Sequence, residues 1–409
     1  MVLDKAVKIL ERGYVCDHCL GRQFAQLLTG IENYERGRIL REAVAFELET
    51  EEKDVDDVNF QSIDFRSYEC EEKETGKCIV CHDLFDSLDG WMEKILRKLQ
   101  GYEFDNFLVG CKPSDEMVKR EEEIWEEIGI KHCEPIKSEI NRLIGKKIEE
   151  KTSKKVEFEM PEIVILLNFE TEEVELDVNS LCIYGEYNKK VRGIPQTVWP
   201  SGKYEISVQE LIDPAFLRAA DATEDKFHGA GREDIDAKCL GWRPFILEIL
   251  EPKRRDLDLE KVREQINRQE EVKVRNLKIV DRDKVEELKS WRPDKSYRAL
   301  VKLGEAVDEE ELKKIEQLET TLEQRTPSRV AHRRSDRTRK RKVKRIDWKR
   351  VDEKAVEIEV KAEAGTYIKE MISGDEGRTE PSLAGLLDVE AECEELDVIE
   401  IHDRDKMDI

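Results

Sequence analysis

Apolar side chains recur at helical spacing through the first third of the chain, and this period predicts helices over 3–12 and 33–49. In the second of these, Leu40, Val44 and Leu48 share one stripe. Residues 49–77 are acidic and weakly periodic, and read as a loop or irregular excursion. Helical spacing returns at 91–99 and at 114–129, where Ser114 caps and Met117, Ile124, Trp125 and Ile128 are apolar. It returns again at 135–150. The period then changes. Glu162–Phe169 is rich in strand formers, Val174–Val178 alternates, and Leu181–Tyr184 makes a third short strand. Two helices followed by such strands predict a small α/β module ending near residue 200.

The second half opens on Ser207-Val208-Gln209-Glu210, which has the form of a capping box. Asp213-Pro214 then predicts a fresh helix with proline at its first position. Beyond the glycine-containing stretch 229–241, Pro244–Leu250 is a strand. Helix 257–269, strand 272–280, helix 283–291, strand 296–303 and helix 308–318 follow. Strands dominate near 320–330, 340–349 and 354–363. The expectation is an α+β domain with helices on one face of a mixed sheet. At 409 residues the chain asks for two or three domains.

Composition narrows the setting. No apolar run approaches the roughly 18 residues of a membrane span, and the N-terminus lacks the pattern of a secretion signal. The expected location is the cytoplasm. A net charge of −24 argues against indiscriminate nucleic-acid binding. Yet from Arg325 to Arg350 there are 13 Lys or Arg against two acids, Asp336 and Asp347. In an otherwise acidic chain this run is either a solvated face or a local RNA-binding surface, with Arg333, Arg334, Arg337 and Arg339 as its candidate contacts.

Four of the ten cysteines form two pairs, Cys16-x-x-Cys19 and Cys78-x-x-Cys81. Each CxxC turn brings two sulfurs within reach of one ion, and two turns complete a tetrahedron. This predicts a structural four-cysteine zinc site. His18 and His82 stand beside the pairs as the alternative ligands. Cys70, Cys111, Cys133, Cys182, Cys239 and Cys393 show no such pairing and read as small core residues.

Three further segments carry possible chemistry. Phe227–Asp236 contains Gly231-Arg232-Glu233-Asp234, a carboxylate beside a guanidinium on a tight turn. Neither its glycine spacing nor a preceding strand fits a dinucleotide fingerprint, and no Gly-Lys-Ser/Thr follows as in a P-loop. Gly365-Thr366-Tyr367-Ile368-Lys369 places tyrosine and lysine two apart, on one side of an extended strand. Lys295-Ser296-Tyr297-Arg298-Ala299-Leu300 reads alone as a half-buried strand.

In order, GRED, KSYRAL, QRTPSRVAHRRSD (324–336), AGTYIKE (364–370) and GRTEPSL (377–383) resemble the archaeal-type tRNA pseudouridine synthases of the Pus-Ten family. The resemblance extends to CDHCLGRQF (16–24), IYGEY (183–187) and RGIPQT (192–197). One departure is Trp242, where the family pattern has a glycine before Arg-Pro-Phe. The resemblance implies a zinc-binding helical region over 1–82, a THUMP-like RNA-binding module over 83–200 and a pseudouridine synthase catalytic domain over 201–409. It implies isomerisation of T-loop uridines of tRNA, at positions 54 and 55, with no organic or nucleotide cofactor and no membrane. Asp234 matches the catalytic aspartate, with Asp236 as its one rival, and Lys369 the basic residue paired with it. Tyr297 and Tyr367 match substrate-contacting tyrosines, and Arg232 a residue that enters the gap left by the flipped base. The rivals are another THUMP-bearing tRNA enzyme, a methyltransferase or sulfur-transferase, and a non-catalytic zinc-dependent RNA-binding adaptor.

Overall fold

The computed structural model describes residues 1–51, 57–66, 76–331 and 335–403. They form two compact units, 1–179 and 180–409.

The first unit begins with α1 (Val2–Leu10), α2 (Asp17–Gly21) and α3 (Asn33–Glu51). Two glycines bring α2 and α3 together. A Cβ on Gly21 would lie 1.8 Å from the Asn33 carbonyl oxygen, and one on Gly37 would lie 1.9 Å from that of Asp17. Then come α4 (Leu88–Leu99), β1 (Asn106–Lys112), α5 (Asp115–Ile128), α6 (Ile136–Thr152), β2 (Lys155–Val156), β3 (Ile163–Asn168) and β4 (Glu173–Val178). Ser114 caps α5 by accepting from the Met117 N–H. Ile140, Ile144 and Ile148 form the buried stripe of α6. The sheet runs β2-β1-β3-β4, parallel but for β4.

The second unit contains β5 (Leu181–Lys189), α7 (Val208–Ala220), β6 (Glu224–Gly229), β7 (Lys238–Leu250), α8 (Leu259–Ile266), β8 (Val272–Val280), α9 (Lys284–Ser290) and β9 (Lys295–Leu303). It continues through α10 (Glu309–Leu312), β10 (Thr321–Arg325), β11 (Thr338–Asp352), β12 (Ala355–Ala362), α11 (Ile368–Ser373), β13 (Thr379–Glu380), α12 (Leu383–Leu387) and β14 (Ala391–Ile401). One mixed sheet runs β13-β10-β11-β12-β9-β14-β7-β5-β8, with β6 also paired to β7.

Several expectations are corrected. The strand at Leu181 is not part of a module ending near 200: β5 lies between β7 and β8 in the second sheet. Helices cover both faces of this part of the sheet. Ile183, Phe245 and Leu247 pack under α7 and α8, while Cys182, Tyr184 and Ile246 pack against α9. Unbroken burial along β5 follows from this double cover. No new helix starts at Pro214. It lies inside α7, where its missing N–H removes the helical bond to the Glu210 carbonyl, and buried Ile212, Ala215 and Phe216 hold the helix together. Tyr367 and Lys369 are not on a strand, since Tyr367 is the N-cap of α11. Trp242 lies within β7, with the Arg275 guanidinium 4.3 Å above its ring.

Candidate functional site

β6 ends at Gly229, so a strand does precede the Gly-Arg-Glu-Asp turn, contrary to the expectation from glycine spacing and pattern. The chain then turns through Gly231, whose φ of 70° is one that side-chain-bearing residues rarely adopt. The turn opens into a cleft of about 690 Å³, lined also by β9 and by the segment 364–369 before and into α11.

Asp234 stands in this cleft, 37% exposed. Arg329 reaches both its oxygens: Nη1 donates to Oδ1 at 3.4 Å, and Nη2 lies 3.3 Å from Oδ2. Arg329 also meets Glu370 at 2.7 Å. Burial opposes the charge of Arg329, but the hydrogen bond and charge of Glu370, and then Asp234, hold its pKa above its usual value. Lys369 Nζ is 3.8 Å from Asp234 Oδ2 and only 2.7 Å from Asp236 Oδ2. Burial would raise Asp236, yet the Lys369 hydrogen bond outweighs it and holds that carboxyl below its usual range. Tyr297 lines the same cleft, and burial pushes its hydroxyl up to about 12.

Beneath Asp234 the turn is fastened carbonyl by carbonyl. Arg243 Nη1 donates to Ala230 O at 2.9 Å, and Gln196 Nε2 donates to Gly231 O at 2.9 Å. Lys189 Nζ donates to the Ile194, Asp234 and Ile235 carbonyls at 3.1, 3.4 and 3.3 Å. Glu233 points the opposite way from its neighbour. Its carboxylate is 1% exposed, 2.9 Å from Arg243 Nε and 3.6 Å from Lys189 Nζ, and accepts from the Tyr187 hydroxyl. One residue of this dipeptide therefore secures the loop and the other faces the cleft.

In the first unit the Sγ atoms of Cys16, Cys19, Cys78 and Cys81 all lie within 4.8 Å of one another. Cys16 and Cys81 are 3.6 Å apart, close to the roughly 3.8 Å edge of a tetrahedron built on zinc–sulfur bonds. The donor set therefore fits one soft divalent ion. Arg22, fully buried, donates to the Cys19 sulfur at 3.8 Å and pairs with Glu121. Neither histidine joins the cluster. His18 Nδ1 is 2.9 Å from Glu139 and its ring stacks on Phe85 at 4.3 Å, while His82 lies 3.8 Å from Glu116. Of the other cysteines, Cys111, Cys182 and Cys239 are buried, Cys133 and Cys393 are half-buried, and Cys70 lies outside the described residues.

Residues 182–402 match the family described as Pus10, C-terminal, and residues 91–168 the Pus10 THUMP domain, archaeal. The tRNA pseudouridine synthase Pus10 of Methanothrix thermoacetophila is 39% identical over 98% of this chain and 94% of its own length. That of Methanocaldococcus jannaschii is 41% identical over 98% of this chain and 95% of its own. The chain belongs to the Pus10 family. In a solved Cbf5-Nop10-Gar1 complex, one chain is similar over 52% of this chain and 47% of its own, at 22% identity and a TM-score of 0.30.

Of the residues that the resemblance singles out, Arg232, Asp234, Tyr297, Tyr367 and Lys369 come together around one cleft, and Arg339 of the basic run joins them. Arg337 is exposed outside it, and Arg333 and Arg334 lie outside the described residues. Sequence reasoning missed Arg329, Lys295, Gln196 and Glu233. Arg329 and Gln196 stood inside motifs already singled out, QRTPSR and RGIPQT. Lys295 stands two residues before Tyr297, which on a strand means the same face.

Proposed function

We propose that this chain isomerises uridine to pseudouridine in the T-loop of tRNA, at positions 54 and 55, with Asp234 as the catalytic residue. The observation that carries this reading is a half-exposed carboxylate held between Arg329 and Lys369 in a cleft shared with two tyrosines. A flipped uridine needs such a pocket, because its glycosidic carbon is out of reach within a stack. The adjacent cations orient the carboxylate, which can act at C1′ as nucleophile or base. Tyr297 and Tyr367 hold the base, and Arg232 takes its place in the RNA. Arg333, Arg334, Arg337 and Arg339 contact phosphates. The first unit supplies a zinc-stapled helical region, with zinc on Cys16, Cys19, Cys78 and Cys81, and the THUMP module that grips tRNA. No helix among the described residues is long and apolar enough to cross a membrane, which accords with work on tRNA in the cytoplasm. The deciding test incubates the purified chain with unmodified tRNA and no added cofactor, then maps pseudouridine by position. Absence of product, with tRNA binding intact, would favour the adaptor reading.

A further inference from the structure

Lys295 is 9% exposed, yet no carboxylate within 4.0 Å and no hydrogen-bond acceptor faces its ammonium among the described residues. A second buried cation beside it is only partly satisfied. Arg243 is 0% exposed; its Nη1 donates to Ala230 O and its guanidinium forms an ion pair with Glu233, but neither Nε nor Nη2 has a hydrogen-bond partner among the described residues. Both groups converge on the turn before Asp234: a Cβ on Gly231 would sit 3.9 Å from Lys295 Nζ and 3.6 Å from Arg243 Nη1. Both residues line the cleft. Buried charges left unpaired are costly, and those that persist at a site are completed by what binds there.

We infer that Lys295, supported by Arg243 Nη2, forms an anion-stabilising subsite for the uracil while it is detached from the ribose. The inference rests on the synthase reading above. When the N1–C1′ bond breaks, its electron pair leaves with the base, and the negative charge spreads over N1, O2 and O4. It persists until C5 bonds to C1′, after which the C5 hydrogen leaves as a proton and N1 gains one. A cation fixed where that charge develops lowers the barrier without reorganising. Lys295 shares a strand face with Tyr297, at the buried floor that the base enters, whereas exposed Arg292 stands at the rim. Its unmatched burial, and next Arg243, press the ammonium down to about 8, as expected of a cation awaiting its counter-charge.

Single-turnover pseudouridine formation by the full chain, saturated with an unmodified tRNA transcript, tests this. Lys295→Met should slow the step by about 100-fold, with tRNA affinity and its salt dependence unchanged. Lys295→Arg should recover at least about tenfold, and Lys295→Gln should behave as Lys295→Met. Rates for both neutral variants within about threefold of wild type would overturn the subsite. So would weakened binding with a log-affinity against log-salt slope shallower by about 0.7–0.9, which makes Lys295 a phosphate-backbone ligand instead. A wild-type chain that forms no product overturns the parent reading; an active wild type matched by Lys295→Met overturns only this one.

Discussion

In the first unit four sulfur atoms crowd within 4.8 Å of one another. In the second, nine Lys and Arg residues line one cleft among the described residues, with two acidic residues, Glu233 and Asp234. Four sulfur ligands suit a cation, and a cleft rich in Lys and Arg suits an anion. The two regions differ in how the guest is held. The cysteines are nearly closed to solvent and suit a bare ion, which would join chain segments far apart. The cleft stays open, and its guest must come and go. Burial therefore separates a part of the fold from a place of work.

The contrast breaks most severely at Cys78. Cys78→Ser, or metal stripped by a chelator, should unfold the first unit, since structural zinc contributes about 10–16 kcal/mol in small zinc domains. Metal analysis and proteolysis of the full chain check this; a metal-free first unit that resists protease would end the structural role. Next comes Asp234→Asn, expected to cut single-turnover rate by about 10⁴-fold or more while tRNA affinity holds. Asp236→Asn, at a carboxylate 69% exposed, should lose far less. The reverse ranking would move the catalytic assignment by two residues. Third is Glu233→Gln, which strands Lys189 and Arg243 without a counter-charge and should cost about 3–5 kcal/mol of stability, read by thermal unfolding. An unchanged melting point would deny the loop its buried anchor. Tyr297→Ala should lose a stacking contribution of about 1–3 kcal/mol, while Tyr297→Phe keeps most turnover; equal losses would assign the role to the hydroxyl. Smallest is Arg337→Gln with Arg339→Gln, which should flatten the log-affinity against log-salt slope by about 0.7–0.9 for each phosphate no longer neutralised. No change in slope would return the strand to a solvated face.

Legibility followed the range over which each constraint acts. A metal fixes two short spacings, so Cys16, Cys19, Cys78 and Cys81 stood out although the pairs are far apart. Val272–Val280 was readable to the residue because its pattern is local. Arg329 meets Asp234 across 95 residues of chain, and no periodicity records such a meeting. Only the resemblance joined the motifs, and it named Lys369 rather than Arg329. β1 and β14 escaped notice because Gly110 and the run Glu392–Glu395 dilute their alternation. The double cover of β5 and β7 had a visible sign in the apolar run Phe245–Leu250, interrupted only by Glu248.

The pairing of β14 with β7 rests on two residue pairs, Asp397 with Lys238 and Val398 with Cys239. On one side of that seam lie β7, β5 and the Asp234 turn; on the other lie β9 and, by way of β12 and β11, the segments bearing Arg329 and Lys369. The turn is secured by Lys189 and Gln196, both made just before it during synthesis. Its electrostatic partners, and the last strand that draws the halves together, are made long afterwards. Long-range closures of this kind are slow steps in folding. A nascent chain would thus carry a finished loop well before it carries an enzyme, and in refolding, turnover should return with the seam rather than with the first burst of secondary structure.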